Sequence, residues 1–338
     1  VDGAGNIYIA DTFNQRIRLV LAKGVIETIA GAGGQGYTGD GGPALKAGMN
    51  FPAALAVDSN GNVYVCDSQN NVVRELAPSG ALSSPGTPSI TSIQNASGYG
   101  GGLTTAQGSW IEIKGTNLAA DTRAWGGTDF VNGFAPTALD RTSVTVGGLA
   151  AYIFYVSPTQ VNALLPLSPA LNGPEPVIVR NAAGVSSSAN INVVANEPGF
   201  YAPGQLLIGG KQYAGAVFLD NKTFVAPVGA ASGGLVTRPA KAGDTITLYG
   251  IGFGGVFPGV TDGQIVQFPN NLLTTITISI GNAQVMNYEY AGLAPESIGL
   301  YQFTFDVPQG VTPGALVPLV VSQGGVPISQ TLYTAISN

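Results

Sequence analysis

Apolar and polar residues alternate one by one through Leu300, Tyr301, Gln302, Phe303, Thr304, Phe305 and Asp306. A half-buried strand needs this period of two, because successive side chains point to opposite faces of a sheet. Gly299 opens the run, and Val307-Pro308 closes it where a ladder donor is no longer required. A looser relative of the segment stands upstream, at residues 155–166. Each of the two follows a strand ending in Gly-x-x-Leu or Gly-x-x-Phe, Trp110 to Leu118 and Thr245 to Phe253, with Gly115 and Gly250 in matching places. The chain after residue 90 therefore reads as one β-sandwich plan used twice. In the first use, strands are predicted at Ser143–Val146, Ala151–Val156, Val161–Leu165, Val177–Arg180 and Ala189–Val194, with turn signals about every ten residues, an Ig-like pattern. In the second they fall at Ala214–Leu219, Thr245–Phe253, Leu273–Ile280, Val285–Tyr290, Leu316–Ser322 and Ile328–Ile336. Helix is signalled only at Pro43–Met49, as a single turn.

The first quarter has a different rhythm. Val1 to Asp11 matches Val57 to Asp67, and Asn14 to Arg18 continues the match against Asn70 to Arg74. Each copy reads as strand, Asp/Gly/Asn turn, alternating strand, second turn and third strand. The glycines and asparagines stand where a turn needs positive φ. The pattern Val-Asp-x-x-Gly-Asn-Ile/Val-Tyr, continuing to Asp11 or Asp67 and on to Arg18 or Arg74, resembles the NHL-repeat β-propeller family. The stretch from Gly24 through Pro43 resembles its long-blade form in secreted bacterial proteins. Two blades do not close a propeller, which takes about four to eight. The strand that should precede Val1 is missing from the sequence, so the expectation is that further blades lie upstream. A trimmed piece, and an open edge paired by a strand of another copy, are the alternatives. Gly31 to Gly36 fits G-x-G-x-x-G, but the following Tyr37 to Pro43 cannot start the helix a dinucleotide site requires. Asp40, flanked by glycines, is either a calcium ligand or a loop carboxylate bonding its own backbone.

A Pro/Gly/Ser hinge from Ala77 to Pro88 separates this part from the rest. The expected layout is two blades over 1–83, the first incomplete, a linker over 84–89, one sandwich over 90–197 and a second over 198–338. The Gly115-Thr-Asn-Leu118 strand end, followed by Val144 to Gly148 and Ile153 to Val156, resembles an IPT/TIG domain, an Ig-like fold. A longer series resembles the C-terminal domain family of large secreted acidobacterial proteins. Its pieces are Gln94 to Ser97, Ser157 to Asn162 with Pro166, Asn181 to Ser186, Pro198 to Phe200, Gly243 to Gly250, Asp262-Gly263, and Tyr290 to Leu293 leading into Gly299 to Gln302. That resemblance implies a secreted or surface location and supplies no catalytic residues. Phe200-Tyr201 is expected as an aromatic plug between the sandwiches. The fold class is all-β: partial propeller blades, then two tandem Ig-like sandwiches.

Chemistry is sparse. The chain of 338 residues has no histidine, which excludes a Ser-His-Asp triad and an H-E-x-x-H zinc site. Asp2, Asp11, Asp58, Asp67, Asp220 and Asp262 all fall at turns where Asp caps backbone, so no catalytic residue, metal or cofactor is expected. Charged residues make up 9% against the usual quarter, mean hydropathy is +0.26 and net charge is −6. An acidic chain without a basic stripe does not suit nucleic acid. No apolar run reaches the roughly 20 residues of a membrane span. The lone Cys66 excludes an internal disulfide; a buried core role and an intermolecular bridge are its two readings. Tyr99, Trp110, Trp125, Tyr213 and Tyr249 are candidates for stacking on sugars, with core or inter-domain packing the stronger reading of each. Trp125 and Phe130 on the long 119–141 loop, with Tyr99, are the candidate ligand or subunit contacts. Asn95-Ala-Ser97 and Asn221-Lys-Thr223 fit the glycosylation pattern. The functional expectation is a non-enzymatic extracellular structural or adhesive protein, a subunit of a surface filament assembled by β-edge pairing between copies. The alternative is a secreted module binding polysaccharide or cell wall.

Overall fold

In the computed structural model, which describes residues 1–3, 5–22, 24–40, 43–58, 61–76, 86–97 and 102–338, the repeats near the N-terminus fold as two antiparallel three-stranded sheets. The first holds β1 (Ile7–Asp11), β2 (Arg16–Val20) and β3 (Ile26–Ala30). The second holds β4 (Pro52–Val57), β5 (Val63–Asp67) and β6 (Val72–Leu76). The turns repeat as closely as the residues do. Asp2 accepts the N–H of Asn6 at 2.9 Å, and Asp58 accepts that of Asn62 at 2.9 Å. Gln15 (φ 56°) and Asn71 (φ 54°) end the 3-10 turns that follow β1 and β5. The shared core is Ile17, Ala30, Met49, Val63 and Val65.

Two expectations in this part are corrected. Asp40 is neither reading alone: it pairs with Arg74 at 2.5 Å. Cys66 is half-buried on the outer face of the second blade, a free thiol rather than a core residue. Within the glycine-rich run from Gly31, three backbone N–H groups are bonded inside the unit. Gly31 donates to Ala44, Ala32 to Ala47 and Gly36 to Met49, against the 3-10 turn Ala44–Lys46.

The chain divides into two compact units, Val1–Ser84 and Pro85–Asn338. Of the hinge, residues 77–85 lie outside the described residues. The second unit contains both sandwiches. In the first sandwich, one sheet runs in the order Arg123–Ala124, Tyr152–Val156, Gln160–Leu164, Trp110–Thr116 and Ser89–Asn95. The facing sheet runs Ala138–Leu139, Thr142–Val146, Gly173–Asn181, Ala189–Val194 and Thr104–Ala106, the last pair parallel. Alternate residues such as Ile111, Ile113, Ile153, Val161, Val177 and Val179 fill the space between.

In the second sandwich, Tyr301–Asp306 lies between Thr245–Ile251 and Tyr290–Leu293 and bonds to both. Phe303 and Phe305 are fully buried, and Phe303 packs on Phe253 with ring centroids 4.6 Å apart. The facing sheet is led by Ile276–Ile280, Gly314–Gln323 and Leu332–Ile336. The two sandwiches share one device. Strand Trp110–Thr116 passes Ser89–Asn95 at Gly115, and Thr245–Ile251 passes Gly199–Phe200 at Gly250. At both, an added Cβ would meet the neighbouring backbone carbonyl and the side chain three residues on, Leu118 or Phe253. The Gly-x-x-Leu/Phe signature is a steric requirement.

Four predicted strands are shorter or displaced. Leu273–Ile280 begins only at Ile276, and Ala214–Leu219 reduces to Val217–Phe218. The run Val285–Tyr290 instead crosses between the sheets, with Tyr288 Oη accepting the N–H of Ile278, and pairing starts at Tyr290. Ile328–Ile336 shortens to Leu332–Ile336, because Gln330 takes a strand's place with its side chain. Its amide accepts from Phe200 N at 2.6 Å and donates to Phe200 O at 3.0 Å. The plug expected of Phe200-Tyr201 is also corrected: Phe200 belongs to the second core and Tyr201 is exposed.

A candidate functional site at the sandwich junction

The long loop of the first sandwich is tied down from within. Arg123 pairs with Asp129 at 2.8 Å and with Asp140 at 2.5 Å, and Trp125 N–H donates to Phe154 O at 2.8 Å. This sets four aromatic rings edge to face. The centroid of Trp125 is 5.6 Å from Trp110, 5.1 Å from Phe130 and 5.1 Å from Phe154. Such contacts add about 0.5–1.5 kcal/mol each beyond the area they bury.

The cluster also reaches the second sandwich. Trp110 Nε1–H donates to Ile298 O at 3.1 Å, and Ala135, Leu164 and Ile298 are buried together under Trp110, Trp125, Phe130 and Tyr152. Gly299, at φ 63°, makes the approach possible, since a Cβ there would stand 2.5 Å from Leu164. Backbone hydrogen bonds join the halves alongside: Ala135 N to Gly263 O at 2.8 Å and Ile265 N to Gly133 O at 2.9 Å. Leu167 N–H adds a fourth tie to Asp262 Oδ2 at 2.7 Å.

Beside these ties lies a cleft of about 220 Å³, bordered by Leu164, Leu167, Val256, Leu273, Ile298 and Tyr301. It is smaller than the roughly 300–1,000 Å³ of a drug-sized ligand site. Its lining holds one carboxylate, Asp262, where glycoside hydrolysis would call for two. Burial pushes the Asp262 carboxyl up, against the pull of the Leu167 N–H. Burial, and then the Asp262 charge, push the Tyr152 phenol up. Among the described residues no three His, Cys, Asp or Glu side chains come together as a metal site, and no helix is long and apolar enough to cross a membrane.

A raised Asp262 means the folded state holds its proton more tightly than the unfolded chain. Stability therefore falls as pH rises through the window that opens at the ordinary Asp value, about 3.9. Asp262→Asn keeps an acceptor for Leu167 and removes the charge. It should raise the melting temperature of the sandwich unit by about 1–3 °C at neutral pH, a modest figure because the group is half exposed. At pH 3 the gain should vanish; an equal gain at both pH values would dismiss the electrostatic cause.

Of the residues singled out in the sequence, the structure brings Trp110, Trp125 and Phe130 together. Tyr99 lies outside the described residues. Tyr213 is buried elsewhere, its hydroxyl donating to Ala315 O at 2.7 Å, and Tyr249 is half-buried on a strand of the second sandwich. The acceptor Asn95 is buried and bonds Ser97 N–H, which closes it to glycosylation; Asn221 is exposed. Ile298 and Leu167 were not singled out, while Gly299 was read as the start of a strand and Asp262 as a turn carboxylate, neither as part of a junction. The available signal was the indole N–H of Trp110, which requires an acceptor when covered.

Residues 49–75 match the NHL repeat, and residues 88–194 match the IPT/TIG domain. A stretch of 74 residues is 35% identical to Protein SUPPRESSOR OF QUENCHING 1, chloroplastic, of Arabidopsis thaliana, covering 21% of this chain and 7% of that protein. Among solved structures, a surface glycan-binding protein from Prevotella bryantii covers 73% of this chain with 41% of its own length matched, 14% identity and a TM-score of 0.23. The glycan-binding protein SGBP-B of the Bacteroides ovatus mixed-linkage glucan locus covers 95%, with 52% of its own length matched, 11% identity and a TM-score of 0.33. Domains 5–6 of the S-layer protein SbsC cover 75%, with 99% of that chain matched, 12% identity and a TM-score of 0.24. The chain spans only a small part of the plant protein and about half of the two glycan-binding proteins. Superpositions this loose carry no information about a ligand.

Proposed function

We propose that the chain is a non-enzymatic structural or adhesive segment of an extracellular surface protein, akin to the tails of large secreted acidobacterial proteins, and that it associates with copies of itself. The carrying observation is the lock between the sandwiches. Trp110, Trp125 and Phe130, aromatic residues that could have faced a ligand, pack into it, together with the backbone ties from Gly133 to Ala135. A joint of this kind holds two modules as one body, as a load-bearing segment requires. A chain with only 9% charged residues presents a surface that tolerates close contact between copies. Sedimentation velocity and negative-stain images of the purified chain over a wide range of concentration and salt should show assemblies that grow with concentration. A monodisperse monomer throughout would overturn the self-associating form.

One observation favours a second reading, a module binding surface polysaccharide. Phe154, on the rim of the aromatic cluster, is 38% exposed and free to stack on a sugar ring. Binding to a panel of soluble glycans that Phe154→Ala abolishes would support it. Binding that survives both Phe154→Ala and Trp125→Ala would remove this cluster from consideration.

A further inference from the structure

The cleft beside the sandwich joint draws its walls from both modules. Leu164 and Leu167 come from the first sandwich, and Val256, Leu273, Ile298 and Tyr301 from the second. Glycine leaves part of the room: Gly254, Gly255 and Gly259 are among the lining residues, and a Cβ at Gly259 would meet nothing within 4 Å. A wholly apolar cavity of about 150 Å³ takes up a benzene ring. At about 220 Å³ this cleft has space for one six-membered ring and a short substituent.

The polar groups of the wall decide what that substituent is. The lining holds no lysine or arginine, which leaves an anion without a partner. The Tyr301 hydroxyl is already committed to Gly254 O. Asp262 is not so fully engaged. Its Oδ2 accepts the Leu167 N–H at 2.7 Å, and its Oδ1 accepts from no described residue. A half-buried carboxylate with one oxygen unpaired gains most from a charged donor. A sugar ring suits the cleft less. It would bring hydroxyls on every side to walls of leucine, valine and isoleucine, with only Thr261, Asp262 and Gln264 to meet them.

We propose that this cleft binds a small organic ammonium with an apolar body, the body against the leucines and the ammonium on Asp262. Because the walls belong to two modules, the occupant touches both at once and holds the joint closed. It binds the folded chain alone, so it should raise the melting temperature of the sandwich unit as its concentration passes Kd. The ligand chemistry does not depend on whether copies of the chain associate.

Benzylamine, benzyl alcohol and benzoate share a ring and differ in the substituent, while methylamine has the charge without the ring. Titrated against the full chain and followed by saturation-transfer NMR, benzylamine should bind with a Kd on the order of 1 mM, as so few atoms allow. Benzyl alcohol and methylamine should bind at least about tenfold more weakly, and benzoate not at all. Asp262→Asn, which keeps the acceptor for Leu167, should bring benzylamine down to the level of benzyl alcohol and leave benzyl alcohol unchanged. Thr261→Trp, bulk added at an exposed lining position, should weaken both. Benzylamine bound alike by wild type and both variants would place its binding elsewhere and overturn the site. Benzyl alcohol bound by wild type as tightly as benzylamine would overturn the preference for an ammonium. No binding of any probe at about ten times the expected Kd would overturn both.

Discussion

Arg74→Met is expected to cost the blade unit about 3–5 kcal/mol, enough to unfold much of it at room temperature. Arg74 and Asp67 form the charged centre of the second blade, with side chains 7% and 0% exposed. The guanidinium donates to Gly48 O at 2.7 Å and Thr38 O at 2.9 Å, and it pairs with Asp40 at 2.5 Å and Asp67 at 3.5 Å. It therefore fastens the stretch from Thr38 to Gly48 onto the blade. Methionine preserves the apolar stem but leaves a buried carboxylate with only the Asn50 N–H and the Asn70 amide for company. Arg74→Lys should fail partly, because one ammonium cannot reach the same forked set of acceptors. The measurement is limited proteolysis in rising denaturant, scored by cleavage within residues 1–84. Tryptophan emission, which arises only from Trp110 and Trp125, checks that the sandwiches are still folded when the blades are cut. Cleavage of Arg74→Met at the wild-type denaturant concentration would refute the assignment.

The ladders were legible because they depend on local rules. Alternation placed Tyr301–Asp306, Thr142–Val146 and Ala189–Val194 to within a residue or two, and the repeated Asp-Gly-Asn turns placed β1 and β5. The failures occurred where a side chain did the work of a backbone, or where a partner was remote. Gln330 mimics a strand neighbour for Phe200 across 130 residues, and no period in the sequence announces that. Residues 285–289 have strand composition but are needed to carry the chain from one sheet to the other. Asp40 has glycines on the C-terminal side that suit a self-bonded turn, yet Arg74, 34 positions away, claims it.

The junction follows the same rule. Trp110 was recognisable as a residue with a use, but its acceptor, Ile298 O, stands 188 residues further on. The loop of Trp125 and Phe130 stood out in the sequence by its length and its aromatic residues. The ion pairs of Arg123 with Asp129 and Asp140, together with the Trp125 N–H bonded to Phe154 O, fix which way those rings face.

The paired glycines carry the second large expectation. Gly115→Ala should destabilise the first sandwich by about 3 kcal/mol or more, and Gly250→Ala the second by about 1–3 kcal/mol. At Gly115 the new Cβ would sit 2.0 Å from Ser89 O and 2.9 Å from Leu118 Cδ2. At Gly250 it would sit 2.6 Å from Gly199 O and 2.7 Å from Phe253 Cε2. A carbonyl on a neighbouring strand cannot move without parting a ladder whose strands stand about 4.7–4.9 Å apart, whereas a ring can tilt. Phe253→Leu added to Gly250→Ala should therefore recover part of the loss beyond what the two changes sum to, and Leu118→Ala added to Gly115→Ala should recover little. Denaturant melts followed by tryptophan emission report on Gly115, and calorimetry on Gly250. At an ordinary strand glycine, alanine is worth roughly 0.5–1 kcal/mol of added stability. A gain of that sign at either position would show that the Gly-x-x-Leu/Phe signature is not steric, and with it would go the physical basis for reading the two sandwiches as one plan.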